Sequence, residues 1–159
     1  MLLKVEDPGF YRHNGVDVFT PGSGMTTLTQ ALVKRFYFEA FHQGLLPKLK
    51  QSLYAVGFNR VVSKPDQLRL YLGSVYMGTI DGREVHGFQD AGQTFFQHSC
   101  DQLTPDEYLA IIAMPVGPNT YSAKLHPVAN RQRAARIRKF LAGACSPASV
   151  FDVYYKNCD

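Results

Sequence analysis

Cysteine is scarce in this sequence. Cys100, Cys145 and Cys158 are odd in number and widely spaced, a pattern typical neither of a metal site nor of a disulfide framework. A cysteine-built metal centre and a small disulfide-stabilised fold are the classes that this scarcity excludes. We therefore expect the cysteines to be free or buried thiols.

Long hydrophobic runs are also missing. A helix that spans a bilayer needs roughly 18 or more apolar residues, whereas the longest apolar stretch, residues 108–116, is interrupted by Pro115. Residues 1–5 are too few for the apolar region of a signal peptide. We expect no membrane-spanning segment, so the chain is either soluble as it stands or lacks its natural beginning.

The composition is that of a globular domain. The chain has 159 residues, of which 45% are hydrophobic and 13% aromatic, enough to bury a core. We expect a single domain over residues 1–159. Its 17 lysines and arginines against 13 aspartates and glutamates give a formal charge of +4, which favours anionic partners such as phosphate, nucleic acid or an anionic membrane surface.

Helix-start signals recur along the chain. Thr26 or Thr27 can supply a capping hydroxyl to the first strong helical pattern, and Ser63 and Thr104 each precede a proline and an acidic residue in a first turn. Residues 128–141 keep apolar positions at helical spacing between basic side chains. We expect those basic side chains to form a solvated face of this helix.

Strand patterns, by contrast, are absent. No stretch of useful length alternates apolar and polar residues, and residues 78–87 have the composition of a polar loop. Residues 7–24 are rich in glycine, proline and asparagine and predict a second loop. The predicted class is therefore all-α.

Two early segments carry a resemblance to a known family. Residues 6–17, EDPGFYRHNGVD, resemble E-D-x-x-F-x-x-H-x-G, the first signature of the peptidoglycan glycosyltransferase (transglycosylase) domain of penicillin-binding proteins. Residues 24–35, GMTTLTQALVKR, resemble its second signature, G-x-S-T-I-T-Q-Q-L-x-K-N. Residues 70–78, 103–121 and 126–138 are similar to three later patterns of the family, in the same order.

The resemblance implies a fold and an activity. Members of this family have a mostly helical, lysozyme-like domain and polymerise lipid II into glycan strands, with release of polyprenyl pyrophosphate, at the outer face of the bacterial inner membrane. The partners implied are lipid II, the glycan strand, the membrane surface and other cell-wall synthesis proteins. Nucleic acid is not an expected partner, since the basic helix carries no recognised binding motif.

The resemblance also assigns roles to residues. Glu6 lies at the position of the general base, and partial burial of such a glutamate raises its pKa toward the working pH. Lys34 and Lys48 match basic positions at the pyrophosphate, where a divalent ion, Mg²⁺ or Mn²⁺, can also stabilise charge. Further substrate-binding positions fall on Asp7, His13, Thr27 and Gln30. From the residues alone, His13 is expected to hydrogen-bond within its loop and Asp17 to pair with an arginine.

The chain departs from the family at its third signature. R-K-x-x-E falls on residues 47–51, so that Pro47 replaces the arginine and Gln51 replaces the second glutamate. A glutamine cannot ionise. In addition, only residues 18–24 separate the first two signatures, where relatives have a longer segment lining the donor site. Part of the donor pocket is therefore expected to be missing.

The apolar residues after the second signature have two interpretations. They are Phe36, Tyr37, Phe38, Phe41, Leu45 and Leu46. Their helical spacing favours burial in the hydrophobic core, whereas the resemblance places them in the region that relatives press into the lipid surface. We expect core burial.

Several functions compete at this stage. An active glycosyltransferase is favoured by the intact first signature around Glu6, while Pro47 and Gln51 favour a degenerate homologue that binds lipid II, a glycan strand or a cell-wall enzyme. A glycan hydrolase would need a second carboxylate about 5 to 10 Å from Glu6. The candidates for that carboxylate are Asp7, Asp17, Glu39 and Glu107.

Overall fold

The structure, a computed structural model, describes residues 1–38 and 44–159. Its described helices are α1 (Leu2–Glu6), α2 (Leu28–Tyr37), α3 (Leu45–Val61), α4 (Lys64–Ser74), α5 (Gly87–Phe96), α6 (Pro105–Ile112) and α7 (Pro127–Leu141). Two strands, β1 (Tyr76–Ile80) and β2 (Arg83–His86), lie between α4 and α5, and a 3-10 turn, Lys156–Cys158, follows α7. The chain is mostly helical, which agrees with the fold that the resemblance implies.

Side-chain caps define three helix starts. The Thr27 hydroxyl accepts a hydrogen bond from the Gln30 amide, and the Gln30 side chain accepts one from the Thr27 amide, which forms a full capping box on α2. Thr104 caps α6 in the same way, and the Ser63 hydroxyl caps α4. These helix starts, predicted from local chemistry alone, are confirmed.

The hairpin corrects the prediction that residues 78–87 form a loop. Strands β1 and β2 pair antiparallel, and Asp81 and Gly82, at the turn between them, have φ of 52° and 78°. Successive positive φ values at an Asp-Gly pair are the signal of a two-residue hairpin turn. The strands bury Met77 and Val85 completely, although they are too short to show clear alternation in the sequence.

The core lies between α2, α4, α5, α6 and α7. Its fully buried side chains include Val33 of α2, Ile112 of α6 and Ile137 of α7. Helix α2 packs against both α3 and α4, while α6 packs against α5 and α7. This arrangement fixes the amino-terminal end of α2 beside the carboxyl-terminal end of α1, where the first two signatures meet.

The predicted solvated face of α7 is wrong at one residue. Arg131, Arg138 and Lys139 are exposed, as expected, but Arg133 lies on the inner side of the helix with only 1% of its surface accessible. A buried guanidinium needs compensating partners, and those partners are at the cleft described below.

The expectation of core burial is wrong for most of the apolar residues after the second signature. Phe36 and Tyr37 at the end of α2 are 49% and 58% exposed, and Leu45 and Leu46 at the start of α3 are 85% and 77% exposed. Phe38 is partly buried, and Phe41 lies outside the described residues. The exposed apolar surface continues along α3 through Leu49 and Leu53.

The expectation of free thiols is wrong for two cysteines. Cys145 and Cys158 form a disulfide with a Cα–Cα distance of 5.5 Å, while Cys100 is a partly buried free thiol. The two cysteines are 13 residues apart in sequence, and their disulfide closes a loop after α7. Their spacing matches no known disulfide pattern, so it does not predict the pairing. None of the described helices combines the length and hydropathy needed to cross a bilayer.

Candidate active site

A cleft of about 750 Å³ opens at the junction of α1, α2, α4 and α7. Three stretches of chain between the helices also line it, namely residues 22–27, Pro115 with Val116 and Pro118, and residues 153–154. Its lining contains acidic, basic and aromatic side chains. The polar and aromatic residues lining it include Glu6, Thr27, Lys34, Tyr71, Arg133 and Tyr154.

Glu6 is the last residue of α1, a short helix held in place by the buried side chains of Leu2 and Val5. Its side chain is only 15% exposed and faces the cleft. Burial raises the pKa of Glu6 to about 7, the positive charge of Arg133 opposes this rise, and the negative charge of Asp7 adds to it. A carboxylate with a pKa near neutrality can both accept and hold a proton at physiological pH.

Arg133 forms an ion pair with Glu6. One guanidinium nitrogen, Nη2, lies 3.8 Å from the Glu6 carboxylate, while Nε donates to the Ala113 carbonyl at 3.0 Å and Nη1 donates to the Val153 carbonyl at 2.5 Å. The planar fork is therefore held by backbone on two sides. The guanidinium is fixed at the cleft, and its positive charge partly compensates the negative charge of ionised Glu6.

Two buried tyrosines complete the surroundings of Glu6. Tyr155 donates its hydroxyl proton to the Val5 carbonyl at 2.7 Å, which ties the carboxyl-terminal segment to α1. Tyr71 of α4 lines the cleft; burial and the charges of Glu6 and Asp7 raise the pKa of its hydroxyl well above the usual value. Both hydroxyls therefore stay protonated at neutral pH.

Asp7 and His13 join the first signature to α2. The fully buried Asp7 carboxylate accepts hydrogen bonds from the Leu28 amide at 2.9 Å and from His13 Nε2 at 3.0 Å. Because the Gly15 amide donates to His13 Nδ1 at 3.0 Å, the proton of the neutral ring lies on Nε2. The expected hydrogen bond of His13 within its loop is confirmed, and neither side chain lines the cleft.

A second set of hydrogen bonds next to the cleft involves Thr27, Gln30 and Gln51. Besides capping α2, Thr27 donates its hydroxyl to the Gly15 carbonyl at 2.6 Å, and the side-chain Nε2 of Gln30 donates to Ser52 Oγ at 2.9 Å. Gln51 is 1% exposed, and its Nε2 donates to the Gln30 carbonyl at 2.8 Å. Gln51 is thus placed in a structural contact away from the cleft surface, and its role in the reaction stays a prediction.

Lys34 and Lys48 bring two positive charges to one side of the cleft. Lys34 and Arg35 line it, and Lys48 donates to Thr26 Oγ1 at 3.0 Å just beside it. Burial and the nearby charge of Lys34 lower the pKa of Lys48. Cations held this close together favour an anionic ligand, so the geometry is compatible with the predicted pyrophosphate role of both lysines.

Asp17 does not pair with an arginine, which corrects that expectation. Its carboxylate accepts from the Phe19 and Thr20 amides and from the Thr20 hydroxyl at 2.6 Å. These contacts lower its pKa against the opposing effect of burial. Asp17 lines a separate shallow depression with His13, so it shapes the loop and does not reach the cleft of Glu6.

The described residues contain no cluster of three or more side chains of the kinds that commonly ligate metal ions. Among residues 1–38 and 44–159, no three His, Cys, Asp or Glu side chains come together in a way that could hold one. The nearest acid to Glu6 in sequence, Asp7, uses its oxygens on His13 and Leu28. Mg²⁺ is commonly held by one or two carboxylates together with substrate phosphates, so the predicted divalent ion stays a prediction.

The sequence predictions missed Arg133 and Tyr154. The signal for Arg133 was present, because the family pattern N-P-x-x-A-x-x-R places its arginine six residues after the proline, which is Pro127 here. Tyr154 lies after the last recognised pattern and carries no local signal. Its position in the cleft depends on the path that the chain takes after α7.

Comparison with known proteins supports the resemblance. The family described as Transglycosylase matches residues 1–142. The chain is 32% identical over 149 residues to penicillin-binding protein 1F of Bacillus subtilis, covering 86% of this chain and 20% of that protein. It is 30% identical over 150 residues to penicillin-binding protein 1A of Escherichia coli, covering 86% and 17%. The chain thus spans about a fifth of the length of these relatives.

Proposed function

The chain belongs to the transglycosylase family, and from that premise we propose that it is a peptidoglycan glycosyltransferase. The substrate is lipid II, and the products are a longer glycan strand and polyprenyl pyrophosphate. The observation that carries this proposal is the position of Glu6. It is a largely buried carboxylate that faces a cleft of about 750 Å³ and has a pKa of about 7.

Glu6 acts as the general base. Its ionised carboxylate removes the proton from the acceptor sugar hydroxyl while the hydroxyl oxygen attacks the anomeric carbon of the donor. The bond between that carbon and the pyrophosphate oxygen breaks on the opposite face, so the configuration inverts. Arg133, 3.8 Å from the carboxylate, keeps part of the Glu6 population ionised at neutral pH by opposing the effect of burial.

Lys34 and Lys48 stabilise the leaving pyrophosphate. Negative charge grows on the leaving group as the bond breaks, and cations positioned beforehand lower the energy of that state. Arg35 lines the same side of the cleft. A requirement for Mg²⁺ or Mn²⁺ is a separate proposal, tested by adding a chelator to the polymerisation assay, and the steps above assign no role to such an ion.

The exposed apolar surface around α3 supports a membrane-bound substrate. Phe36, Tyr37, Leu45, Leu46, Leu49 and Leu53 are all more than a third exposed, which is a common mark of a lipid or protein contact. The Cys145–Cys158 disulfide supports an oxidising compartment. We place the protein at the outer face of a bacterial inner membrane, with cell-wall synthesis proteins as further partners.

A competing proposal is a binding module that holds lipid II without turnover, and the observation in its favour is Gln51 at the position of the second glutamate. A glycan hydrolase has less support. Asp7 is engaged by His13, Asp17 lies outside the cleft, and Glu107 caps α6. Glu39 lies outside the described residues.

Polymerisation of labelled lipid II by the purified chain tests the proposal. We expect glycan strands from the native chain and a loss of at least about a hundredfold for Glu6→Gln, the range typical of a general base. Glu84→Gln is the matched control, because Glu84 is exposed on β2 and lies outside the cleft. Binding of lipid II without any product from the native chain would support the binding module instead.

A further inference from the structure

Residues 143–159 follow α7 and lie beyond the part of the chain that matches the family, which ends at residue 142. They nevertheless contribute to the cleft, because Val153 and Tyr154 line it together with Glu6. The segment returns from the end of α7 to α1, and the Cys145–Cys158 disulfide closes it into a loop. We call residues 143–159 the closing segment.

The closing segment packs against the short connection between the first two signatures. The Gly22 amide donates to the Ser149 carbonyl at 3.0 Å, and the Gly24 amide donates to the Val150 carbonyl at 2.9 Å. A Cβ atom on Gly24 would lie 2.8 Å from Val153 Cγ1, so only glycine permits this approach. The closing segment is therefore hydrogen-bonded directly to the connection of residues 18–24.

The same segment reaches the residues around the general base. The Val153 carbonyl accepts a hydrogen bond from Arg133 at 2.5 Å, and Arg133 is the ion-pair partner of Glu6. Tyr155, fully buried, donates to the Val5 carbonyl one residue before Glu6. The closing segment therefore contacts both the ion-pair partner of Glu6 and the residue that precedes Glu6.

Tyr154 lies between these two anchors and, unlike the buried Tyr155, is exposed to solvent. It is 39% exposed, it lines the cleft, and its ring centroid lies 6.1 Å from that of Tyr121. Ligand sites are commonly lined by aromatic rings with a few polar groups. A phenol ring offers a flat apolar face to a sugar ring and a hydroxyl to its polar edge.

We propose that the closing segment is a wall of the substrate cleft, that Tyr154 contacts a sugar ring of lipid II, and that the Cys145–Cys158 disulfide keeps this wall in place. The wall adds an aromatic side chain and the Val153 side chain to the cleft that Glu6 faces. This inference rests on the proposed function, since it names the residue that binds the same substrate.

Equilibrium binding of labelled lipid II tests the contact. We measure it with Tyr154→Ala and Tyr154→Phe, each in the Glu6→Gln background so that turnover does not consume the ligand. We expect Tyr154→Ala to raise the dissociation constant about tenfold, the order expected for loss of an aromatic contact, and Tyr154→Phe to keep most of the affinity. Phe151→Ala is the matched control, because Phe151 belongs to the same segment, is 70% exposed and lies outside the cleft.

Hydrogen exchange tests the disulfide without any substrate. In the double variant Cys145→Ala, Cys158→Ala we expect faster exchange at the Gly22 and Gly24 amides, because both donate to the closing segment. Cys100→Ala serves as the control, since Cys100 carries no disulfide. Unchanged exchange at both glycines in the double variant would show that the disulfide does not hold the wall.

The failures of the two proposals are distinguishable. Tight lipid II binding by Glu6→Gln that Tyr154→Ala leaves unchanged would overturn the wall and leave the glycosyltransferase standing. No lipid II binding by either the native chain or Glu6→Gln would overturn both. A weakening confined to Tyr154→Ala, together with faster exchange in the disulfide variant, is the result that supports the inference.

Discussion

Arg133 and Glu6 form an ion pair at the cleft, with Nη2 of the arginine 3.8 Å from the glutamate carboxylate, although the two residues are far apart in the sequence. Both groups are withdrawn from solvent, with 1% and 15% of their side chains exposed. Burial of charge is costly unless the charge is paired and hydrogen-bonded. Burial raises the pKa of Glu6 and the charge of Arg133 opposes that rise, so activity and stability should both depend on this pair.

Activity should increase with pH through the pKa of Glu6. A general base works only when ionised, and burial raises the pKa of Glu6 to about 7. We expect kcat/KM to rise about tenfold per pH unit below that value and to level off above it. Initial rates of lipid II polymerisation between pH 5 and pH 9 give the profile. A profile that stays flat from pH 5 to pH 7 would remove Glu6 from the role of base.

Stability should show the opposite pH dependence. The pKa of Glu6 is raised from 4.5 to about 7 on folding, so the folded state binds the proton more tightly and its contribution is full below about pH 4.5. It is lost as pH rises to about 7 and amounts to on the order of 3 kcal/mol. Glu6→Gln lacks this titration. We expect its advantage in free energy of unfolding, measured with urea, to grow by about 2 to 3 kcal/mol from pH 5 to pH 8. Equal growth in Asp81→Asn, which removes an exposed acid of the hairpin turn, would contradict the assignment.

Much of the fold follows from local chemistry. The hydroxyls of Thr27, Ser63 and Thr104 act on amides within the next turn, so the sequence alone predicts where their helices begin. Glu6 could be chosen as the candidate general base from sequence alone, because its signature is a continuous stretch of residues. The position of His13 against Asp7 follows from the same short segment.

The remaining parts of the site depend on contacts between distant residues. Arg133 lies on a helix with a strongly basic sequence, and the helical periodicity does not separate the buried arginine from its exposed neighbours. Only the family pattern that begins at Pro127 points to it. Tyr154 enters the cleft only because the closing segment turns back after α7 and pairs with Gly22 and Gly24. The Cys145–Cys158 disulfide requires the same turn, which cysteine spacing does not encode.

Arg133→Met should shift the pH profile toward alkaline values. The positive charge of Arg133 opposes the rise in the pKa of Glu6, so its removal raises that pKa further and moves the midpoint of the activity curve to higher pH. The free energy of unfolding should fall by about 2 to 4 kcal/mol, because a buried pair loses one partner. The carbonyls of Ala113 and Val153 lose their donor as well.

The control for this change is Arg131→Met, which removes the same charge from an exposed position of α7. We expect it to leave the midpoint of the pH profile and the urea midpoint nearly unchanged. Equal shifts in both variants would mean that the net charge of the chain, and not the ion pair with Glu6, governs the profile.

Gln51→Glu should destabilise the chain and fail to improve catalysis. The Gln51 side chain donates to the Gln30 carbonyl at 2.8 Å, whereas an ionised glutamate can only accept hydrogen bonds. A buried carboxylate facing a carbonyl oxygen should lower the free energy of unfolding by about 2 to 3 kcal/mol. Gln132→Glu, on the exposed side of α7, is the control. A gain in polymerisation rate by Gln51→Glu would instead identify a disabled catalyst.

Loss of the disulfide should affect stability more than loss of the free thiol. Cys145 and Cys158 close a loop with a sequence separation of 13, and a crosslink of that length stabilises a fold by about 3 kcal/mol in the chain-entropy treatment. We expect the double alanine variant to lose free energy of unfolding of that order in urea. Cys100→Ala should lose less, because Cys100 is only partly buried. If the double variant instead keeps its urea midpoint, then the hydrogen bonds of Val153 and Tyr155 suffice to hold the closing segment against α1 and α7.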